Sequence, residues 1–149
     1  MSFFIIRFVI VWTFWVFFAD KKRWREIAPA CVFAGYMAGI ADGIVEHYKL
    51  WAFIPVSIIP DLLDNIGIYP VVTYFFIQWL PKQCTLGRMF SYWFVWTTLT
   101  IGIELLHLKT GHMEHYMWWS IYHSYTADWI LLWMIYQFHK IFRLEKLNY

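Results

Sequence analysis

The sequence has few charged residues and few cysteines. Charged residues make up 15% of its 149 residues, whereas about 25% is usual for a soluble domain. Its two cysteines, Cys31 and Cys84, are too few for a disulfide framework, and neither lies in a CxxC pattern. The net charge is only +2 and the chain has no basic helix with interleaved polar residues, so the composition does not support nucleic-acid binding.

Motifs that predict catalysis are also missing. The chain has no nucleophile motif, no phosphate-binding loop and no dinucleotide fingerprint. His123 and Ser124 precede Asp128, but this spacing alone does not make a hydrolase triad. We therefore expect a protein that is not an enzyme. The alternative is an intramembrane enzyme, which no specific motif supports.

Apolar and aromatic side chains are abundant instead. Hydrophobic residues make up 61% of the chain and aromatic residues 23%, with eleven Trp. Apolar runs of roughly 20 residues predict transmembrane helices. We predict an all-α integral membrane helical bundle, a single domain over residues 1–149, with five spans, or four if the first or the third segment is interfacial. The predicted spans cover about residues 3–19, 27–46, 66–80, 89–107 and 120–138.

Charges outside the spans predict the orientation. The basic turn KKRWRE follows the first apolar run, so this run is expected to be a retained helix and not a cleaved signal peptide. Cytoplasmic loops carry an excess of Lys and Arg, which predicts a cell-membrane protein with its N-terminus outside and its C-terminus cytoplasmic. Arg7, near the outer end of the first span, is expected to reach the headgroups. The inner segments then hold Lys21, Lys22, Arg23, Arg25, Lys82, Arg88, Lys140, Arg143 and Lys146, and the outer segments hold only Lys49 and Lys109.

Three glycines on the second span predict close helix packing. Gly35, Gly39 and Gly43 follow one another at four-residue spacing. Small residues at this spacing form a groove that allows another helix to approach closely. The partner helix is internal, belongs to a second copy of the chain, or belongs to another membrane protein, and these alternatives stay open.

Prolines and polar residues interrupt the segment before the third span. Residues 47–65 contain Pro55 and Pro60 and are expected to be interfacial or re-entrant. Asp61 and Asp64 are expected to be N-terminal caps of the third span. A solvated loop is expected for His112, Glu114 and His115.

Ionisable residues within or beside the spans form a candidate site. Such residues are costly in a bilayer and are usually functional. The five-span prediction brings them together in the outer half of the bundle. The candidates for this polar cluster or ion path are Asp42, Glu46, Glu104, His107, His123 and Asp128.

Three functions are compatible with this cluster. Its side chains could join the spans through buried hydrogen bonds, worth roughly 0.6 to 2 kcal/mol each in membranes. They could instead form a proton or cation path, which needs carboxylates and histidines facing a bundle interior. They could also hold a transition metal, because Glu104-x-x-His107 matches half of the paired motif in di-iron bundles. A second such pair is missing, since His47 is adjacent to Glu46.

With these features in place, the chain resembles a family of small, uncharacterised multi-pass membrane proteins of spore-forming bacteria of the bacillus and clostridium type. The resemblance rests on KKRWRE after the first span, VEHYKLWAFIP after the second, YP at the third, and IELLHLKTG followed by a Y-x-x-W step. It implies a helical bundle in the cytoplasmic membrane, in which Glu46 and Glu104 match acidic positions. The histidine-rich loop and Asp128 depart from the pattern. We expect an accessory or structural membrane component, with a role in sporulation or the envelope.

Overall fold

The fold is that of a computed structural model, which describes residues 2–83 and 85–147, so that Cys84 lies outside the described residues. The described residues are mostly helical, at 79%, which confirms the all-α prediction. Residues 58–78 are helical without a break, so the described residues form five long helical segments, followed by a short 3-10 turn (Leu144–Leu147). These elements are α1 (Ser2–Phe18), α2 (Trp24–Tyr48), α3 (Ile58–Leu63), the π turn (Asp64–Ile68), α4 (Tyr69–Gln78), α5 (Leu86–Lys109) and α6 (Ile121–Ile141).

A small antiparallel sheet, which the sequence did not predict, closes one end of the bundle. β1 (Trp51–Phe53) pairs with β2 (Met113–His115). A hydrogen bond from the Ile54 N–H to the His112 carbonyl (2.9 Å) extends the pairing. The sheet therefore ties the α2–α3 connection to the α5–α6 connection. We call this end the sheet end, and the opposite end, where α2 begins and α6 finishes, the tail end.

The third helical segment begins earlier than predicted. From α3 through α4 it is roughly 30 Å long at about 1.5 Å per residue. Its N-cap is Ser57, whose hydroxyl oxygen accepts a hydrogen bond from the Ile59 N–H (3.3 Å). Pro60, expected to interrupt the chain, lies in the first helical turn, where a missing N–H costs little. The prediction that Asp61 and Asp64 cap this helix is wrong, because the cap lies upstream of both.

Glycines allow the π turn to fit between α1 and α2. A Cβ atom added to Gly35 of α2 would lie 2.5 Å from the Asn65 carbonyl oxygen of the turn. On the other side, a Cβ atom at Gly67 of the turn would collide with the ring of Phe8 on α1. The approach at Gly35 is to backbone and therefore requires the missing side chain of glycine, whereas at Gly67 the Phe8 ring would have to turn away.

The core lies between α2, α4 and α6. The small side chains of Ala30 and Ala34 on α2 leave room for Tyr74 and Phe76 on α4, which are buried. The Tyr74 hydroxyl donates a hydrogen bond to the Asp20 carbonyl (2.8 Å), so its polar end is satisfied. The buried residues of this core are Ile27, Ala30, Cys31, Ala34, Tyr74, Phe76, Ile77, Leu132, Ile135 and Leu144.

Two helices are long and apolar enough to cross a membrane. Within the described residues they are α2 together with the 3-10 turn that precedes it (Lys21–Tyr48) and α5 (Leu86–Lys109), while α1 is apolar but shorter. Large apolar side chains also face outward. Phe17 on α1 is 76% exposed and Val32 on α2 is 73% exposed. Monomeric soluble proteins rarely expose large continuous apolar surfaces, so these helices indicate membrane association.

Candidate functional site

Arg7 turns towards the bundle interior. Its guanidinium donates one hydrogen bond to the Asp64 carboxylate in the π turn and another to Nε2 of His107 on α5 (2.6 Å). The Arg7 and Asp64 side chains are only 14% and 11% exposed. We call Arg7, Asp64 and His107 the Arg7 network; it joins α1, the π turn and α5. The prediction that Arg7 reaches the headgroups is wrong, because the guanidinium of Arg7 pairs with the Asp64 carboxylate inside the bundle.

The hydrogen bonds of His107 define its protonation. Its Nδ1 lies 2.7 Å from the Ile103 carbonyl, which can only accept a hydrogen bond, so Nδ1 carries a proton. Its Nε2 faces Arg7, which can only donate, so Nε2 carries none. The imidazole is therefore neutral, and neither ring nitrogen is free for another ligand.

Aromatic rings enclose the Arg7 network. The guanidinium carbon lies 5.5 Å from the Phe4 ring centroid and 6.0 Å from that of Phe53, within cation–π range. The Phe3 ring meets the His107 ring edge-on, with centroids 5.1 Å apart. These rings keep water from the ion pair, and in such a setting an unpaired charge is costly.

Asp42 has a partner of its own in the π turn. The side-chain amide of Asn65 donates a hydrogen bond to the Asp42 carboxylate (2.6 Å) and so joins the turn to α2. Asp64 and Asn65 are neighbours in the chain, yet one binds a residue of α1 and the other a residue of α2. The turn therefore links both flanking helices through polar contacts.

Tyr69 lies among the acidic residues of four elements. Asp128 on α6 lies next to the Thr100 hydroxyl on α5 and within electrostatic range of Tyr69. Three of the candidate carboxylates predicted from the sequence therefore lie within electrostatic range of one tyrosine. The carboxylates that interact with Tyr69 are those of Asp42, Asp64, Glu104 and Asp128.

Glu104 accepts two hydrogen bonds from outside its own helix. The Ser124 hydroxyl on α6 donates at 2.6 Å, and Nε2 of His115 in β2 donates at 2.7 Å. Ser124 in turn accepts a hydrogen bond from the Trp119 indole N–H (2.9 Å). We call these four residues the Glu104 network; it joins α5, β2 and α6. The prediction of a solvated loop is therefore wrong for His115, whereas Glu114 is exposed.

Removing the Ser124 hydroxyl should weaken the Glu104 network. In Ser124→Ala, both the donor to Glu104 and the acceptor for Trp119 are lost, so we expect the free energy of unfolding to fall by roughly 1 to 2 kcal/mol. Unfolding by dodecyl sulfate in mixed micelles, followed by tryptophan fluorescence, measures this change. Ser91→Ala is the matched control, because Ser91 is exposed on α5 and has no side-chain hydrogen bond within the described residues. Equal losses in both variants would contradict the proposed role of Ser124.

The predicted metal pair is not assembled. Glu104 binds His115 and Ser124, whereas His107 binds Arg7, so the two side chains do not converge on one ligand position. Within residues 2–83 and 85–147, no group of three or more His, Cys, Asp or Glu side chains is arranged to hold a metal ion. Glu104 and His107 therefore join α5 to other elements of the fold.

Two other candidates lie apart from the networks. Glu46 is exposed at the end of α2 and interacts electrostatically with Asp61. His123 is exposed on α6, where Nδ1 lies 2.9 Å from the Ser120 hydroxyl and the ring packs against that of Trp118. The structure does not bring either residue to Tyr69.

The three glycines of α2 have different surroundings. Gly35 faces the backbone of the π turn, as described above. Gly39 and Gly43 are exposed, and a Cβ atom at either would meet no neighbouring atom of the described residues within 4 Å. Only the first third of the predicted groove therefore contacts another segment of the described chain.

A third network, at the tail end, was not predicted. Glu26 is 2% exposed. It accepts hydrogen bonds from Arg23 (2.6 and 2.8 Å) and from Nε2 of His139 on α6 (3.1 Å). Arg23 also donates to the Gln78 carbonyl at the end of α4 (2.8 Å). The spacing of Arg23 and Glu26, three residues apart, is the signal that could have revealed part of this network.

Comparisons with known proteins do not indicate a function for this chain. The resemblance to membrane proteins of spore-forming bacteria stays a prediction. No protein-family model, curated protein or solved structure matches this chain.

Proposed function

We propose that this chain is a small integral membrane protein with five spans, which serves as an accessory or structural component of a cell membrane. In this proposal the continuous helix from α3 through α4 is the third span. The sheet end faces outside, and the tail end, with its cluster of Lys and Arg, faces the cytoplasm. Two candidate spans and the outward-facing apolar side chains support a bilayer environment. A role in sporulation or the envelope rests on the family resemblance alone.

The observation that carries the structural role is the pairing of carboxylates between elements. Asp64, Asp42 and Glu104 each accept a hydrogen bond from the side chain of another helix or turn. In a bilayer, polar contacts of this kind hold helices together. A conducting path needs groups that exchange protons or ions, whereas these carboxylates are engaged in helix packing.

An accessory protein needs a surface for its partner, and the exposed face of α2 is our candidate. At Gly39 and Gly43, no described residue fills the space that a Cβ atom would take. A transmembrane helix, from a second copy or from another membrane protein, could approach the backbone closely there. The open part of the glycine groove would then serve assembly, while Gly35 serves the internal fold.

Proton or cation handling is the second candidate function. The observation that favours it is the gathering of carboxylates from four elements within electrostatic range of Tyr69. Glu104 and Asp128 are the residues on which such a path would depend, because they lie on two helices of the bundle and near the same tyrosine.

A proton-flux assay separates the two functions. The wild type, Glu104→Gln and Asp128→Asn are reconstituted in liposomes that contain a pH-sensitive dye, and a pH gradient is imposed. We expect wild-type flux equal to that of protein-free liposomes, and a stability loss on the order of 1 kcal/mol in each variant. Glu46→Gln is the control, since Glu46 is exposed and outside the networks. Wild-type flux that disappears in the two folded variants but persists in the control would establish conduction instead.

A further inference from the structure

An open groove lies at the tail end between α2 and the short C-terminal turn Leu144–Leu147. Its volume is about 640 Å³. The groove belongs to none of the three polar networks. Its lining combines two cationic side chains with apolar ones. The lining residues are Arg25, Ala28, Pro29, Val32, Lys146 and Leu147.

The two cations of the groove have no partner in the part of the chain that the structure describes. Neither Arg25 nor Lys146 forms an ion pair or a side-chain hydrogen bond with the described residues. The nearest buried acid on α2, Glu26, is already bound by Arg23 and His139. The groove therefore presents positive charge that the rest of the described chain does not neutralise. Charged residues on the elements around it are Asp20, Lys21, Lys22, Arg23, Glu26, Lys140, Arg143 and Glu145, in which the cations outnumber the acids.

The apolar lining continues from the cations along one face of α2. Arg25, Ala28, Pro29 and Val32 follow a spacing of three and four residues, which places them on one helix face. From Arg25 to Val32 this strip extends roughly 10 Å along the helix axis. Val32 is 73% exposed, so the strip is uncovered at its far end.

We propose that this groove binds an anionic phospholipid of the adjoining leaflet. Arg25 and Lys146 bind the phosphate of the headgroup, and an acyl chain lies along Ala28 and Val32. Charge complementarity favours an anionic phospholipid as the ligand, because basic pockets beside membrane helices on the cytoplasmic side bind anionic headgroups. An apolar strip that begins at the cations matches the order of headgroup and chain in a phospholipid. The inference rests on the proposed membrane location of the chain.

Native mass spectrometry of the detergent-purified chain tests this site. Phosphatidylglycerol and phosphatidylcholine are titrated separately, and the bound fraction is read for each. We expect phosphatidylglycerol to bind more tightly, and Arg25→Gln/Lys146→Gln to lower its affinity at least about tenfold without changing phosphatidylcholine binding. Arg25→Lys/Lys146→Arg, which keeps both charges, should retain binding.

The control is Lys21→Gln/Lys22→Gln, which removes the same charge at the same end but outside the groove. Equal binding of the two lipids, or an equal loss in the control, would overturn the site. Displacement of the lipid by excess inorganic phosphate would show a simple anion site and would also overturn it. Recovery in membranes is measured in parallel. A chain that is not recovered there refutes the proposed function, whereas a chain recovered there without lipid preference refutes only the groove.

Discussion

Asp64→Leu is expected to lower the free energy of unfolding by about 3 to 5 kcal/mol, because it leaves a buried guanidinium without its carboxylate. Arg7 would keep only the His107 acceptor, in a site that aromatic rings shield from water. A guanidinium stays charged under all usual conditions, so it cannot escape the penalty by losing a proton. Unfolding by dodecyl sulfate in mixed micelles measures the loss.

Arg7→Leu should cost less, because the remaining Asp64 carboxyl can take up a proton and become neutral. The double variant Arg7→Leu/Asp64→Leu should recover much of the loss, since replacing both members of a buried ion pair by apolar residues is often nearly neutral. The three variants form a double-mutant cycle with the wild type. Additive losses, with the double variant the least stable of the three, would contradict a direct pair.

Gly35→Ala is expected to destabilise the fold by about 1 to 3 kcal/mol, the usual range for overpacking. The added Cβ atom would lie 2.5 Å from the Asn65 carbonyl oxygen. That oxygen belongs to the backbone of a helical segment, so it cannot move aside as a flexible side chain could. The π turn would have to shift away from α2, which would also strain the hydrogen bond between Asn65 and Asp42.

Gly39→Ala is the matched control, because a Cβ atom there would meet no neighbouring atom of residues 2–83 and 85–147 within 4 Å. Alanine restricts the backbone of the unfolded chain more than glycine does. The Gly39→Ala variant should therefore be as stable as the wild type or more stable by up to about 1 kcal/mol. Thermal unfolding of both variants in the same detergent compares them directly. Similar stabilities for Gly35→Ala and Gly39→Ala would show that the π turn does not depend on the close approach.

The helices could be predicted because each is encoded in a continuous run of residues. The apolar runs of α1 and α5 have a length and composition that favour a helix whatever its surroundings, and helices lie over both. β1 and β2 could not be found in this way. A strand of three residues is too short to show alternation, and these two form because the connections at the sheet end lie side by side.

Partners of the polar side chains could not be predicted, because they are distant in the chain. Arg7 is 57 residues from Asp64 and 100 residues from His107. The sequence marks Arg7 as an ionisable residue in an apolar run, which calls for a partner, but it does not say which one. The glycine spacing likewise predicts a groove along α2, whereas only the folded chain distinguishes Gly35 from its open neighbours.

The π turn makes the third helical segment sensitive to a change of length. The Tyr69 N–H bonds to the Asp64 carbonyl, one residue further back than in an α-helix. Deleting one residue from the turn would restore a regular helix and rotate the preceding part by about 100° around the axis. Asp64 would then leave Arg7, although no side chain of either residue had changed. Insertions and deletions are usually tolerated in loops. In this helical segment, a single insertion or deletion would change the neighbours of every residue of the segment that precedes it.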